Sequence, residues 1–163
     1  MPPSHPLATM PVMPWLQRNS WWGLVALAAM LLLFGVLDVS VGVEADPAIP
    51  LGLSGLTLDE LRAESAIGLD LFDFMTRTNG WSLVLLGGLL MVILLVPFRR
   101  GERWAWWTMW AIPVWAAGVA VLYVVAGVQP EVPPPPPMIS GPILAVLAVA
   151  ILALSAPRFF RSG

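Results

Sequence analysis

Asp38, Asp70, Asp73, Arg77, Asn79 and Tyr123 are the residues of this chain whose types could do chemistry. Asp70 and Asp73 form a carboxylate pair three apart, an arrangement that can serve acid–base work. Arg77 can hold an anion, and Tyr123 can donate or accept a hydrogen bond. A plainer reading stands beside each of these. Asp73 and Arg77 are spaced i,i+4, so on a helix they form an ion pair worth about 0.3–0.5 kcal/mol. Asp38 lies about 25 Å from Trp21 at helical rise, which puts it at a membrane boundary as a solvated carboxylate. No nucleophile or second base accompanies these groups, so no catalytic residue is assigned. A site built from them would be an outward-facing cup between helix ends.

The elements that must position these residues are apolar. Hydrophobic residues make up 58% of the 163, and charged residues 11%, about half the share usual in a soluble domain. Cysteine is absent, which removes disulfides, thiol catalysis and zinc–thiolate sites. The single histidine, His5, lies in a Pro-rich tail. No metal site and no cofactor is therefore expected. All eight basic residues are arginine, and so few exposed cations speak against nucleic acid as a partner.

The expected fold is all-α, an integral membrane four-helix bundle with a short amphipathic helix in its first, outer loop. Residues 1–20 read as a disordered Pro-rich cytoplasmic tail and 21–157 as a single bundle. Its spans are 21–42, 80–98, 104–128 and 140–156, and 158–163 is a second cytoplasmic tail. A cleaved signal peptide is the rival reading of the first helix, although its apolar run exceeds the usual h-region. The outer segment 44–79 is acidic, and Pro47 and Pro50 are expected to keep its start extended. Thr57-Leu58-Asp59-Glu60 then reads as a capping box opening a helix to about Ala66, with a break near Gly68. Leu69–Arg77 adds a helical turn or two. Asn79-Gly80 interrupts the chain before the second span, and Gly87-Gly88 allows another helix to approach closely. Pro97 ends that span.

Pro113 predicts a kink in the third span. Trp104, Ala111, Trp115, Gly118 and Leu122 follow a 3.6-residue period, which makes Trp110, Trp115 and Gly118 a candidate ligand or packing face. Trp104, Trp106 and Trp107 read as interfacial anchors. Pro133–Pro137, in a Pro-rich outer loop 129–138, reads as a polyproline strut of about 15 Å. Ser140 is expected to cap the fourth span, with Pro142 in its first turn.

Orientation follows from the arginines. Six of the eight fall in the two tails and the 99–103 loop. Both termini are thus expected in the cytoplasm and the acidic segment outside, in a bacterial plasma membrane. Arg99, Arg100, Arg103 and Trp104 are placed to meet lipid headgroups.

Three stretches carry a resemblance. They are Ser54–Ser65, Arg99–Trp107 (Arg-Arg-Gly-Glu-Arg-Trp-Ala-Trp-Trp) and Met138–Ile143. With them the chain resembles an uncharacterised family of small bacterial four-helix integral membrane proteins. The resemblance implies four helices and supplies no activity. A fainter likeness to DoxX-like proteins rests on topology and carries no residues over. Two function classes follow. One is a non-enzymatic bundle that binds a lipid-like ligand or serves as a subunit of a larger membrane complex. The other is a small membrane enzyme or permease acting on a hydrophobic substrate through the outer cup. The shortage of buried polar groups favours the first.

Overall fold

The computed structural model describes residues 19–128 and 134–160. The N-terminal tail to residue 18, the first part of the Pro-rich loop (129–133) and the last three residues lie outside the described residues. The described chain is all-α. Its elements are α1 (Trp21–Val41), a 3₁₀ turn (Gly42–Ala45), α2 (Ala48–Ser54), α3 (Leu58–Glu64) and α4 (Ala66–Ile93). A π-helical turn (Leu94–Phe98) follows, then α5 (Arg103–Thr108), α6 (Ala111–Val125), α7 (Pro136–Ser155) and α8 (Pro157–Phe160). Four stretches are long and apolar enough to cross a membrane: Trp21–Ala45, Ala66–Phe98, Arg103–Val125 and Pro136–Phe160.

The second of these departs most from expectation. It begins at Ala66, not residue 80, and passes through Asn79-Gly80 without a break. Gly80 is kept in the helix by packing. A Cβ there would lie 2.5 Å from Cβ of Asp38 and 2.8 Å from the carbonyl oxygen of Gly35. Gly35 answers in kind, since its own Cβ would meet the Gly80 carbonyl oxygen at 2.7 Å. One turn or two further along, Gly87 faces the Leu32 amide nitrogen, 2.9 Å from where its Cβ would be. Glycine costs about 1 kcal/mol in a helix interior, and here it lets two backbones touch. Gly88 takes no part, having nothing within 4 Å of a built Cβ.

Ala66–Phe98 numbers 33 residues, about 50 Å of helix at 1.5 Å per residue. A bilayer core of about 30 Å needs only some twenty of them. The surplus is its first turns, which carry Asp70, Asp73 and Arg77. At the far end Pro97 has no N–H to offer the Ile93 carbonyl, and the helix widens into the π turn there before stopping at Phe98.

The third span breaks one turn before Pro113. Trp110 N–H reaches back to the Trp107 carbonyl at 3.1 Å and Ile112 N–H to that of Met109 at 3.1 Å. These are i→i−3 bonds, a tighter winding that adjusts the chain to the proline. In the fourth span the helix starts at Pro136, not Ser140. Proline suits the first helical position because its missing N–H is an orphan there anyway. Ser140 is therefore no cap: its hydroxyl donates to the Pro136 carbonyl at 2.9 Å. Pro136 and Pro137 belong to the helix, which shortens the expected polyproline strut.

Helix contacts set the order α4, α1, α7, α6, with α1–α4 and α6–α7 the two intimate pairs. The second pair also crosses on a small residue, because a Cβ on Gly141 would meet the Ala116 carbonyl oxygen at 2.7 Å. The main apolar core gathers toward the arginine-bearing end, around Leu24, Leu94, Phe98, Met109 and Leu152. At the opposite end the pairs are tied by the connecting segment. Gly52 in α2 seats against Pro135, with 2.6 Å from its built Cβ to Pro135 Cγ.

Candidate functional site at the acidic end

The end of the bundle opposite the 99–103 loop holds the residues expected in the polar cup, but the structure sorts five of them into two groups and leaves Asp70 outside both. Arg77 and Asp73 form the first. Arg77 Nε donates to Asp73 Oδ2 at 2.7 Å. Its Nη1 donates to the Val39 carbonyl at 2.6 Å and more weakly to that of Ser40 at 3.4 Å, while Nη2 donates to the Val41 carbonyl at 3.4 Å. These are the last carbonyls of α1, which have no partner within their own helix. Asp73 accepts in turn from the Val43 N–H at 3.0 Å. The room for this brace comes from Gly42, whose φ is +73°. A Cβ on Gly42 would collide with an Asp73 carboxylate oxygen and stand 2.7 Å from Arg77 Nη2.

Asp38, Asn79 and Tyr123 form the second group, and Asp46 joins it. Asn79 Nδ2 donates to Asp38 Oδ2 over a long 3.4 Å. Asp46 acts electrostatically on both Asp38 and Tyr123, as Asp38 does on Tyr123. Asp38 on α1, Asp46 in the turn before α2 and Tyr123 on α6 thus lie within electrostatic range of one another. Burial pushes the Asp46 carboxyl above the usual carboxylate range, and a hydrogen bond from the Ala48 backbone partly offsets this. Arg77 does not enter the group. Arg77 makes no ion pair with Asp38 and bonds instead the carbonyl of the next residue, Val39, because the α1 terminus competes for the arginine. Asp70 is exposed and makes none of these contacts.

Asp46 was legible only as one acid among several. The reading of Pro47 and Pro50 as extended hid it, because proline also opens helices. Asp46-Pro47 directly precedes α2, and an acid followed by proline is a helix-start signal. Gly55, at φ +76°, ends α2.

A lid of short helices lies over this end. Thr57 caps α3 as expected: the Glu60 N–H donates to Thr57 Oγ1 at 3.3 Å, and the Thr57 N–H donates to Glu60 Oε2 at 2.8 Å. The helix ends at Glu64, before Ala66, and the expected break at Gly68 moves to Ser65. Ser65 Oγ accepts from the Gly68 N–H at 3.0 Å, so it caps α4. Arg62 ties α3 to Glu44 at 3.8 Å and pairs with Asp59 within the helix at 3.1 Å.

The tryptophans divide as well. Trp104 and Trp107 are 52% and 60% exposed, but Trp106 is only 7% exposed. Its indole donates to the Leu152 carbonyl at 3.1 Å and to Ser155 Oγ at 3.2 Å. Trp106 is therefore a core residue and not an anchor; it sits two positions after Trp104 and one before Trp107, the two that face out. Trp110 and Trp115 pack on the main core, while Gly118 has nothing within 4 Å of a built Cβ. The expected Trp110–Trp115–Gly118 face is thus split, since the side of α6 that packs is Ile112, Ala116 and Ala120. Trp110 Nε1 is buried without a hydrogen-bond partner among the described residues.

Chemically, the second group can hold a proton or a cation. No set of three metal-ligating side chains occurs among the described residues. No family model, curated protein or solved structure matches this chain.

Proposed function

We propose that the chain is a multi-pass bacterial plasma-membrane protein with both termini in the cytoplasm. Its bundle is non-enzymatic, and it binds a lipid-like ligand or serves as an accessory subunit of a larger membrane complex. One observation carries this reading. The strongest charged pair near the spans, Asp73 and Arg77, is engaged with the ends of its own helices, so apolar surface is what remains to act. In the apolar window of Pro136–Phe160 only 22% of residues are buried within the bundle. Acyl chains or partner helices must cover the rest.

The orientation is supported by Arg99, Arg103 and Arg158 meeting at one end. Cysteine-accessibility labelling tests it. Positions in 44–79 should react from outside and a cysteine at Gly101 should be protected; the reverse pattern overturns the orientation. Mass spectrometry of gently extracted protein tests the ligand. A stoichiometric lipid-like species or a constant partner subunit is expected, and a bare monomer defeats the reading.

The Asn79–Asp38 hydrogen bond, with Asp46 and Tyr123 within electrostatic range of Asp38, favours a second reading, a small enzyme or permease for a hydrophobic substrate. Substrate turnover or uptake abolished by Asp46→Asn would support it over the first.

A further inference from the structure

At the end away from Asp46, two parts of the chain are locked together through arginines. Arg103 Nε donates to the Phe159 carbonyl at 3.1 Å, and Arg158 Nη2 donates to the Arg99 carbonyl. Each guanidinium also lies over an aromatic ring. Arg99 is 5.2 Å from the centroid of Trp21, Arg103 is 5.9 Å from Phe160, and Arg158 is 5.9 Å from Phe159. Phe159 is buried, its ring 4.7 Å from that of Phe98. The cations are therefore positioned by the core, not left to wander.

Every partner they have is neutral. Among the described residues none of Arg99, Arg100, Arg103 and Arg158 meets a carboxylate, whereas Arg62 and Arg77 at the other end both do. Glu102, the acid inside the cluster, accepts from the Trp104 indole at 2.6 Å instead. A guanidinium carries five N–H donors, and each hydrogen bond above uses one. Four like charges are thus gathered with most donors unspent and no ion pair to a carboxylate among the described residues. An anion with several acceptor oxygens, a phosphate above all, matches that fork geometry.

The level of the cluster says which phosphate. Trp22, Trp104 and Trp107 ring this end with their indoles 57%, 52% and 60% exposed, and exposed indoles at helix ends sit among headgroups. We infer that Arg99, Arg103 and Arg158, held in place by these contacts, and the exposed Arg100 beside them form a site for the headgroup of an anionic phospholipid. This rests on the reading of the four long helices as membrane spans, and it names the class of lipid that the bundle holds.

The full chain, purified in detergent, is mixed with equal phosphatidylglycerol and phosphatidylcholine and examined by native mass spectrometry. Retention of phosphatidylglycerol should exceed that of phosphatidylcholine. Arg100→Gln removes no internal contact, so it should fold and lower that preference by about fivefold, the loss of one arginine near an anionic surface. Arg100→Gln with Arg158→Gln should lower it further, while Arg62→Gln should leave it unchanged. Equal retention of the two lipids, or equal loss from Arg62→Gln, overturns the inference. Displacement of the lipid by millimolar inorganic phosphate also overturns it, because the site would then be one for free anions. A chain that labels as spanning yet shows no lipid preference fails here alone; one that does not span fails at the parent reading.

Discussion

Arg77 Nη1 lies 2.6 Å from the carbonyl oxygen of Val39, so a side chain of one spanning helix finishes the backbone of another. The same guanidinium is held from behind by Asp73 at 2.7 Å. This pair works as a clasp between α1 and α4, and the turn at Gly42 is shaped around it.

Arg77→Leu should cost about 1–2 kcal/mol, the range for charge-assisted hydrogen bonds discounted for partial exposure. Arg77→Lys should recover part of it, since an ammonium keeps the charge but not the fork. A double-mutant cycle in detergent denaturation should give clear coupling between positions 73 and 77 and coupling near zero between 38 and 77. Strong coupling to Asp38 would contradict the arrangement.

Gly80→Val should separate α1 from α4, at roughly 1–3 kcal/mol for overpacking against backbone that cannot yield. Gly88→Ala, with open space at its Cβ, should stabilise by about 0.5–1 kcal/mol. Thermal melts of the two variants should therefore move in opposite directions. Equal shifts would mean that Gly80 is not at a close crossing.

Trp106 and Trp110 allow a paired test of buried indoles. Trp106→Phe deletes a donor shared by the Leu152 carbonyl and Ser155 Oγ and should cost about 1 kcal/mol, since Leu152 still accepts from the Ser155 hydroxyl and the Ala156 N–H. Trp110→Phe deletes a buried donor with no partner among the described residues and should cost clearly less. A larger loss for Trp110 would point to an acceptor from a bound molecule.

The capping box on α3 should respond to acid. Thr57 donors hold the Glu60 carboxyl below the usual carboxylate range. With a folded pKa below the unfolded one, its contribution is complete above the unfolded value of about 4.3 and is lost as pH falls through the folded pKa. Carbon chemical shifts of Thr57 should report release of the cap in that window, and Glu60→Gln should lack the transition. Thr57→Ala should remove the cap at all pH values, at about 0.5–2 kcal/mol. Shifts of Thr57 that stay flat down to pH 2 would refute the box.

Local chemistry was readable without the fold wherever the cause was local. Four apolar runs, the Thr57–Glu60 box and the disturbance at Pro113 all depend on residues within a few positions of one another. So does the Asp73–Arg77 pair, set by i,i+4 spacing. Such local causes suffice for the class: all-α, with four helices long and apolar enough to cross a membrane. Packing between the helices fixes the remainder. Asn79-Gly80 reads as a break, yet it stays helical because Gly35 on α1 lies against it, a contact no local rule contains. Trp106 and Trp107 are adjacent and alike, and only the position of Leu152 and Ser155 makes one core and the other surface. Arg77 turned from Asp38 to the Val39 carbonyl because the end of α1, with its unpaired oxygens, was brought within reach by helix packing. Which partner wins a guanidinium is settled by distance, and distances between helices are set only when the helices pack.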